Sequence, residues 1–142
     1  MSKPAPKTET VEIEIEADES KPHGVRFAFD KSGKKDWLEF KNEGHDGLLI
    51  SFVIKDKIGL LFPKDPKEAL WARTIQQESD PCPQEGEQWD QFIPLMVAPT
   101  QNILIVENKN REKQLFKFCL NFTKPGYDGL VPWDPIGDNR NG

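Results

Sequence analysis

Val11-Glu12-Ile13-Glu14-Ile15-Glu16 alternates apolar and acidic residues without a break. Side chains of an extended strand point to opposite faces in turn, so this run predicts a strand with Val11, Ile13 and Ile15 inward and three glutamates in water. Like charges along the outer face also oppose edge-to-edge pairing with another molecule. A calcium site is the competing reading of the glutamates, but carboxylates that bind calcium converge from a loop rather than line up along a strand.

The same period returns in Val25, Phe27 and Phe29, and Asp30-Lys31-Ser32-Gly33 then supplies turn chemistry before Trp37-Leu38-Glu39-Phe40. We read these two runs as a hairpin. The turn Asn42 to Gly47 leads into Leu48 to Ile54, whose unbroken apolar run predicts a central strand covered on both faces. Asp65-Pro66-Lys67-Glu68 carries the signals of a helix start: an acid at the cap, proline first and an acid in the first turn. Leu70 to Ile75 follows as a strand with at most a turn before it. Phe92 to Val97, Ile103 to Glu107 and Leu115 to Phe122 complete the strands. One core is expected to hold Ile50, Phe52, Ile54, Phe116, Phe118 and Leu120, with Cys119 partly covered on the polar side of its strand.

Strands at short spacing, turn signals between them and no alternating long helices predict an all-β fold, an antiparallel β-sandwich (immunoglobulin-like) of about seven or eight strands. A closed barrel is the alternative. Residues 1–9 have no apolar periodicity and are expected to be a disordered lead-in, with residues 10–142 forming one domain. Within it, the Pro-rich tail from Lys124 onward is expected to wrap the surface as an extended C-terminal strap anchored by Leu130, Val131, Trp133 and Ile136.

Composition narrows function by exclusion. The net charge is −5, which disfavours a general nucleic-acid binder, since such proteins neutralise phosphates with Lys and Arg. The basic groups Lys31, Lys34, Lys35 and Lys109, Arg111, Lys113 fall in turns and read as solvated charge. No run approaches the roughly 20 apolar residues of a membrane helix, and Met1 to Lys7 has no apolar stretch for a secretory leader, so a cytoplasmic protein is expected. The cysteines are two, Cys82 and Cys119. In a reducing compartment they stay thiols; in an oxidising one they could pair, Cys119 lying in a strand and Cys82 in a loop, and whether they do stays open.

No catalytic constellation stands out, and we expect no enzyme and no cofactor. Neither cysteine has a helix N-terminus beside it to depress its pKa. His23 and His45 sit in turns, where solvation is the simpler reading, although a hydrolase using His45 as general base is a formal alternative. A blue-copper site is excluded because no histidine follows Cys119, and the scattered His23, His45, Cys82 and Cys119 lack the short ligand pairs of zinc sites. Phosphate-binding glycine motifs and a serine nucleophile elbow are absent from the sequence. What remains is a protein-interaction or binding module, with Trp71, Trp89 and His45 as candidate contact residues and another protein as partner. A carbohydrate or small-molecule binding domain using exposed tryptophans is the alternative. Residues 76–90, a long polar loop holding Cys82, are a functional candidate because loops of about 15 residues are uncommon in compact domains. Oligomeric state stays open.

Phe40 to His45, Ile50 to Asp56, Gly59-Leu60-Leu61-Phe62-Pro63 and the late Trp133-Asp134-Pro135-Ile136 before an Asn-Arg-Asn-Gly ending together resemble a group of small uncharacterised bacterial β-sandwich proteins with a DP-containing C-terminal tail. The resemblance implies a bacterial origin and a compact β domain, and no activity.

Overall fold

The structure is a computed structural model describing residues 5–29, 36–56 and 58–140. It is all-β, with ten strands: β1 (Lys7–Ala17), β2 (Val25–Phe29), β3 (Trp37–Phe40), β4 (Leu48–Asp56), β5 (Leu70–Ile75), β6 (Phe92–Val97), β7 (Ile103–Asn108), β8 (Gln114–Phe122), β9 (Val131–Trp133) and β10 (Ile136–Asn139). One sheet, A, runs β2-β1-β4-β7-β6; the other, B, runs β3-β10-β8-β5 with β9 also paired to β8.

β1 forms as its alternation dictates. Val11, Ile13 and Ile15 are buried, while the outer glutamates meet cations: Lys55 lies against Glu12 and Arg26 against Glu16. The strand starts at Lys7, so residues 7–9 are not a lead-in: Lys7, Thr8 and Glu9 pair with Leu48, Leu49 and Ile50. β4 is central, flanked by β1 and β7, with Leu48, Ile50 and Phe52 fully buried on its inner face. The helix-start signal yields a single turn, α1 (Pro66–Ala69), in which the Asp65 carboxylate accepts the Lys67 N–H at 2.9 Å before β5 begins.

The two sheets share one apolar core, an arrangement that fits a β-sandwich. Phe52 of sheet A lies 6.0 Å from Phe118 of sheet B, and Phe92 of sheet A lies 4.8 Å from Phe116 of sheet B. Five of the six expected core residues are fully buried; Ile54, near the end of β4, is partly buried and packed against the rest.

Four further expectations need correction. The sheets are mixed rather than antiparallel, because β1 pairs with β4 and β3 with β10 in parallel. Ten strands replace seven or eight, since β9 and β10 arise from the tail. That tail is no surface strap over residues 131–139: β10 is inserted between β3 and β8, and Val131 of β9 is in the core. Backbone pairing on both edges outweighs the poor strand propensity of Gly137, Asp138 and Asn139. Finally, β2 and β3 are not a hairpin. β2 pairs with β1 in sheet A and β3 with β10 in sheet B, so the chain crosses between sheets there; the turn residues 30–33 lie outside the described residues. The hairpin forms one connection earlier, between β1 and β2.

Candidate functional site

On β5, Leu70 and Ala72 belong to the core, so the intervening Trp71 turns outward, directly opposite Cys119 of β8. This outer face of sheet B is roofed rather than bare. The roof begins with Asp80, whose carboxylate accepts the N–H groups of Gln76 and Gln77 at 2.7 and 3.2 Å. These two backbone donors hold its pKa below the ordinary carboxylate value. Lys117 reaches up from β8 to donate to the Asp80 carbonyl at 2.7 Å. Farther along, Arg73 Nε meets Glu87 at 2.9 Å, and the Ala72 N–H donates to the Glu87 carbonyl at 3.0 Å. β5 is an edge strand, and Glu87 therefore occupies part of its free edge.

Between this loop and α1 lies a cleft of about 430 Å³ walled by Lys67, Glu68, Trp71, Glu85, Gln88 and Leu130. Gln88 fixes its depth: its Nε2 donates to the Leu70 carbonyl at 3.0 Å and sits 3.3 Å from that of Lys67. The cleft thus offers one half-buried indole face with charges of both signs at its rim, chemistry suited to stacking on a flat or apolar group and hydrogen-bonding its polar flanks. A second cleft, about 340 Å³, opens beside Ile75, Lys113, Gln114, Leu115 and Asp138 with no aromatic wall.

Cys119 is buried, 2% exposed, where partial cover was expected. The cover comes from segments that strand periodicity does not reveal. Asn121, next but one on the same face, donates from Nδ2 to the Glu68 carbonyl at 2.8 Å, and its Oδ1 lies 3.1 Å from the Cys119 sulfur. Asp134, in the link between β9 and β10, brings a negative charge near both Cys119 and Cys82. Burial first, and the Asp134 charge second, push both thiols above their ordinary pKa, Cys119 far above it. Both are free thiols.

The three residues singled out from sequence do not converge. Trp71 lines the cleft. Trp89 packs inward, its ring 5.0 Å from Phe116 and against the core. His45 is exposed in the turn before β4, where Nδ1 donates to the Ala5 carbonyl at 3.0 Å. Trp133 also turns to the core, 4.5 Å from Phe29 and 5.3 Å from Phe27, so the four tryptophans do not make one platform. Sequence reasoning does not find Asp134 or Lys67 as site residues, because nothing local to the Asp134-Pro135 pair places it near the thiols. Among the described residues, no group of three His, Cys, Asp or Glu side chains is arranged to hold a metal ion, and no helix is long and apolar enough to cross a membrane. Compared with known proteins, the chain matches no family model and no curated sequence.

Proposed function

We propose that the protein is a non-catalytic binding module whose partner, a segment of another protein, is held at the Trp71 cleft. One observation carries this reading: an outward indole forms the wall of a cleft rimmed by Lys67, Glu68, Glu85 and Gln88. Aromatic anchors in partly desolvated pockets contribute most to protein recognition, and a mixed-charge rim adds orientation. With it goes the finer fold type, an immunoglobulin-like β-sandwich. Two sheets on one core support that type, and the parallel β1–β4 and β3–β10 pairs are its departure from the all-antiparallel form. A cytoplasmic location and kinship with small bacterial proteins ending in a DP-containing tail belong to the same proposal, supported by the sequence features that suggested them.

Cross-linking in cells followed by mass spectrometry tests the binding reading. Contacts centred on Lys67 in the wild type should vanish in Trp71→Ala and persist in His45→Ala. Contacts that survive Trp71→Ala would place the partner elsewhere. The indole beside two carboxylates also favours a second reading, a sugar ligand, because stacking plus hydroxyl recognition needs those groups. Quenching of tryptophan fluorescence by an oligosaccharide, lost in Trp71→Ala, would select it.

A further inference from the structure

Sheet A differs from sheet B on its outer side. Leu48, Ile50 and Phe52 of β4, Leu104 and Val106 of β7 and Phe92 of β6 all belong to the core, so the residues between them point outward. On β1 the outward positions are glutamates, as contact with water favours. On the next three strands they are mostly aliphatic: Leu49 and Val53 on β4, Ile103 and Ile105 on β7, Ile93 and Met96 on β6. Strand pairing sets them side by side, with Leu49, Glu107 and Ile93 in one row, Ser51, Ile105 and Met96 in the next, and Val53 and Ile103 in a third. Leu95, the extra residue of the bulge between Pro94 and Met96, stands beside them; it is 46% exposed and Met96 51%. Among the described residues, no strand or helix packs closely on β4, β7 or β6 apart from their sheet neighbours and α1, whose Ala69 lies in the core. The unbroken apolar run of β4 anticipates cover on both faces, and this chain supplies it on one.

From this arrangement we infer that the outer face of β4, β7 and β6 docks an amphipathic α-helix of another protein, one with an aliphatic stripe and lysine or arginine beside it. Width favours a helix. Three strands about 4.8 Å apart make an aliphatic strip about 10 Å across, the diameter of one helix, bounded by Thr8, Thr10 and Glu12 of β1 on one side and the free edge of β6 on the other. That edge is a poor template for an added strand, because Pro94 has no N–H and the bulge breaks its register. Charge sets the partner's flanks. Lys55 meets Glu12 and Arg26 meets Glu16, whereas Glu107 in the first row and Glu14, beyond the third, have no ion pair among the described residues. Cations beside the helix stripe would answer these two carboxylates. A second copy of this chain fits poorly: its α-helix is a single turn. Laying the sheet face on itself would also set the acidic row of β1 over the aliphatic strands or over the other copy's β1. The surface lies on the other sheet from the Trp71 cleft and does not depend on it.

The test titrates the full chain into two fluorescently labelled helical peptides of about 14 residues, one built of leucine and lysine and one of leucine and glutamate with the same apolar stripe, and follows anisotropy. The leucine–lysine peptide should bind, and its leucine–glutamate counterpart should bind about tenfold more weakly or worse. Met96→Asp and Ile105→Asp should each weaken binding by about tenfold or more, since each places a charge under the apolar stripe. Met96 is half exposed in the free protein, so Met96→Asp should keep the wild-type melting temperature and carry the test even if Ile105→Asp does not fold. Glu107→Lys should narrow the preference between the peptides, and Trp71→Ala should leave it unchanged. Failure of the leucine–lysine peptide to bind, equal binding of the two peptides, or binding undiminished in a folded Met96→Asp would each overturn the inference. A dimer in sedimentation that Met96→Asp dissociates would assign the face to a second copy instead, and capture by phosphatidylcholine vesicles lost in Met96→Asp would assign it to a lipid surface.

Discussion

Asn108 and Asn139 hydrogen-bond to each other twice: Asn108 Nδ2 donates to Asn139 Oδ1 at 2.8 Å, and Asn139 Nδ2 donates to Asn108 Oδ1 at 2.9 Å. Asn108 ends β7 of sheet A and Asn139 ends β10 of sheet B, so this fully buried pair joins the two sheets at one end of the core. Asn110 extends it. Its backbone N–H donates to Asn108 Oδ1 at 3.1 Å, and its Nδ2 donates to the Phe40 carbonyl at 3.2 Å.

Removing one partner strands polar atoms of the other away from water, which costs more than the lost bonds themselves. Asn139→Ala should therefore destabilise by about 2–4 kcal/mol. Asn108→Ala combined with Asn139→Ala should cost less than the two single changes added together. Urea unfolding at constant m-value measures both. An Asn139→Ala loss below about 1 kcal/mol would show that solvent replaces the pair.

Gly137 sits opposite Phe116 in the β10–β8 ladder, and a Cβ built on it would lie 2.2 Å from Phe116 Cζ. The ring lies over the glycine and is itself wedged among Trp89, Phe40 and Phe92. Gly137→Ala should then destabilise by about 3 kcal/mol through overpacking. Phe116→Leu in the same chain should recover part of that loss, giving a non-additive cycle. Simple additivity would mean that the ring moves aside freely.

The alternation of β1 and β8, the length of β4 and the cap at Asp65 were legible because each depends on neighbours in sequence. Partners were not. Alternation fixes which face of β1 is buried, yet says nothing about whether β4 joins it in parallel. Turn residues after Phe29 promise a reversal, but whether the next strand returns to the same sheet depends on β10, far along the chain. The tail illustrates the same limit: Gly137, Asp138 and Asn139 look like loop residues, and only β3 and β8 on either side make them a strand. At the candidate site, the outward direction of Trp71 follows from its period. The roof over Cys119 does not, because Asp80, Asp134 and Glu68 come from three separate segments.

Deleting residues 129–142 tests the tail directly. A surface strap would leave a folded, somewhat weakened sandwich. Among the described residues β10 is the sole sheet partner of β3, so its loss leaves β3 without that partner and uncovers one edge of β8. The truncated chain should show no cooperative thermal transition and strong binding of a hydrophobic dye, and a synthetic peptide of residues 129–142 added to it should restore part of the transition. A truncated protein with the wild-type melting temperature would mean that β10 contributes nothing to the fold.

Cys119 sets a dependence of stability on alkaline pH. Burial and then the Asp134 carboxylate raise its pKa in the folded protein above the ordinary value of 9.0. Below that value the thiol is protonated in both states, and the stabilising interactions of the neutral thiol are fully present. Above it the unfolded chain releases the proton while the folded protein retains it, so the unfolded state binds fewer protons and gains relative to the folded one. Stability should fall by up to about 1.4 kcal/mol per pH unit on this account, starting near pH 9 and continuing until the folded pKa is reached. Other side chains contribute their own alkaline pH dependence, so the measurement is a comparison: unfolding free energy against pH for the reduced wild type and for Cys119→Ser, whose hydroxyl does not ionise there. The curves should run parallel near neutral pH and diverge above about pH 9, with the wild type falling more steeply. Asp134→Asn, which removes the second cause and leaves burial, should narrow the divergence without abolishing it. Parallel curves throughout would mean that the Cys119 thiolate is solvated as readily in the fold as out of it, contrary to the roof that Asp80, Glu68 and Asp134 place over this face.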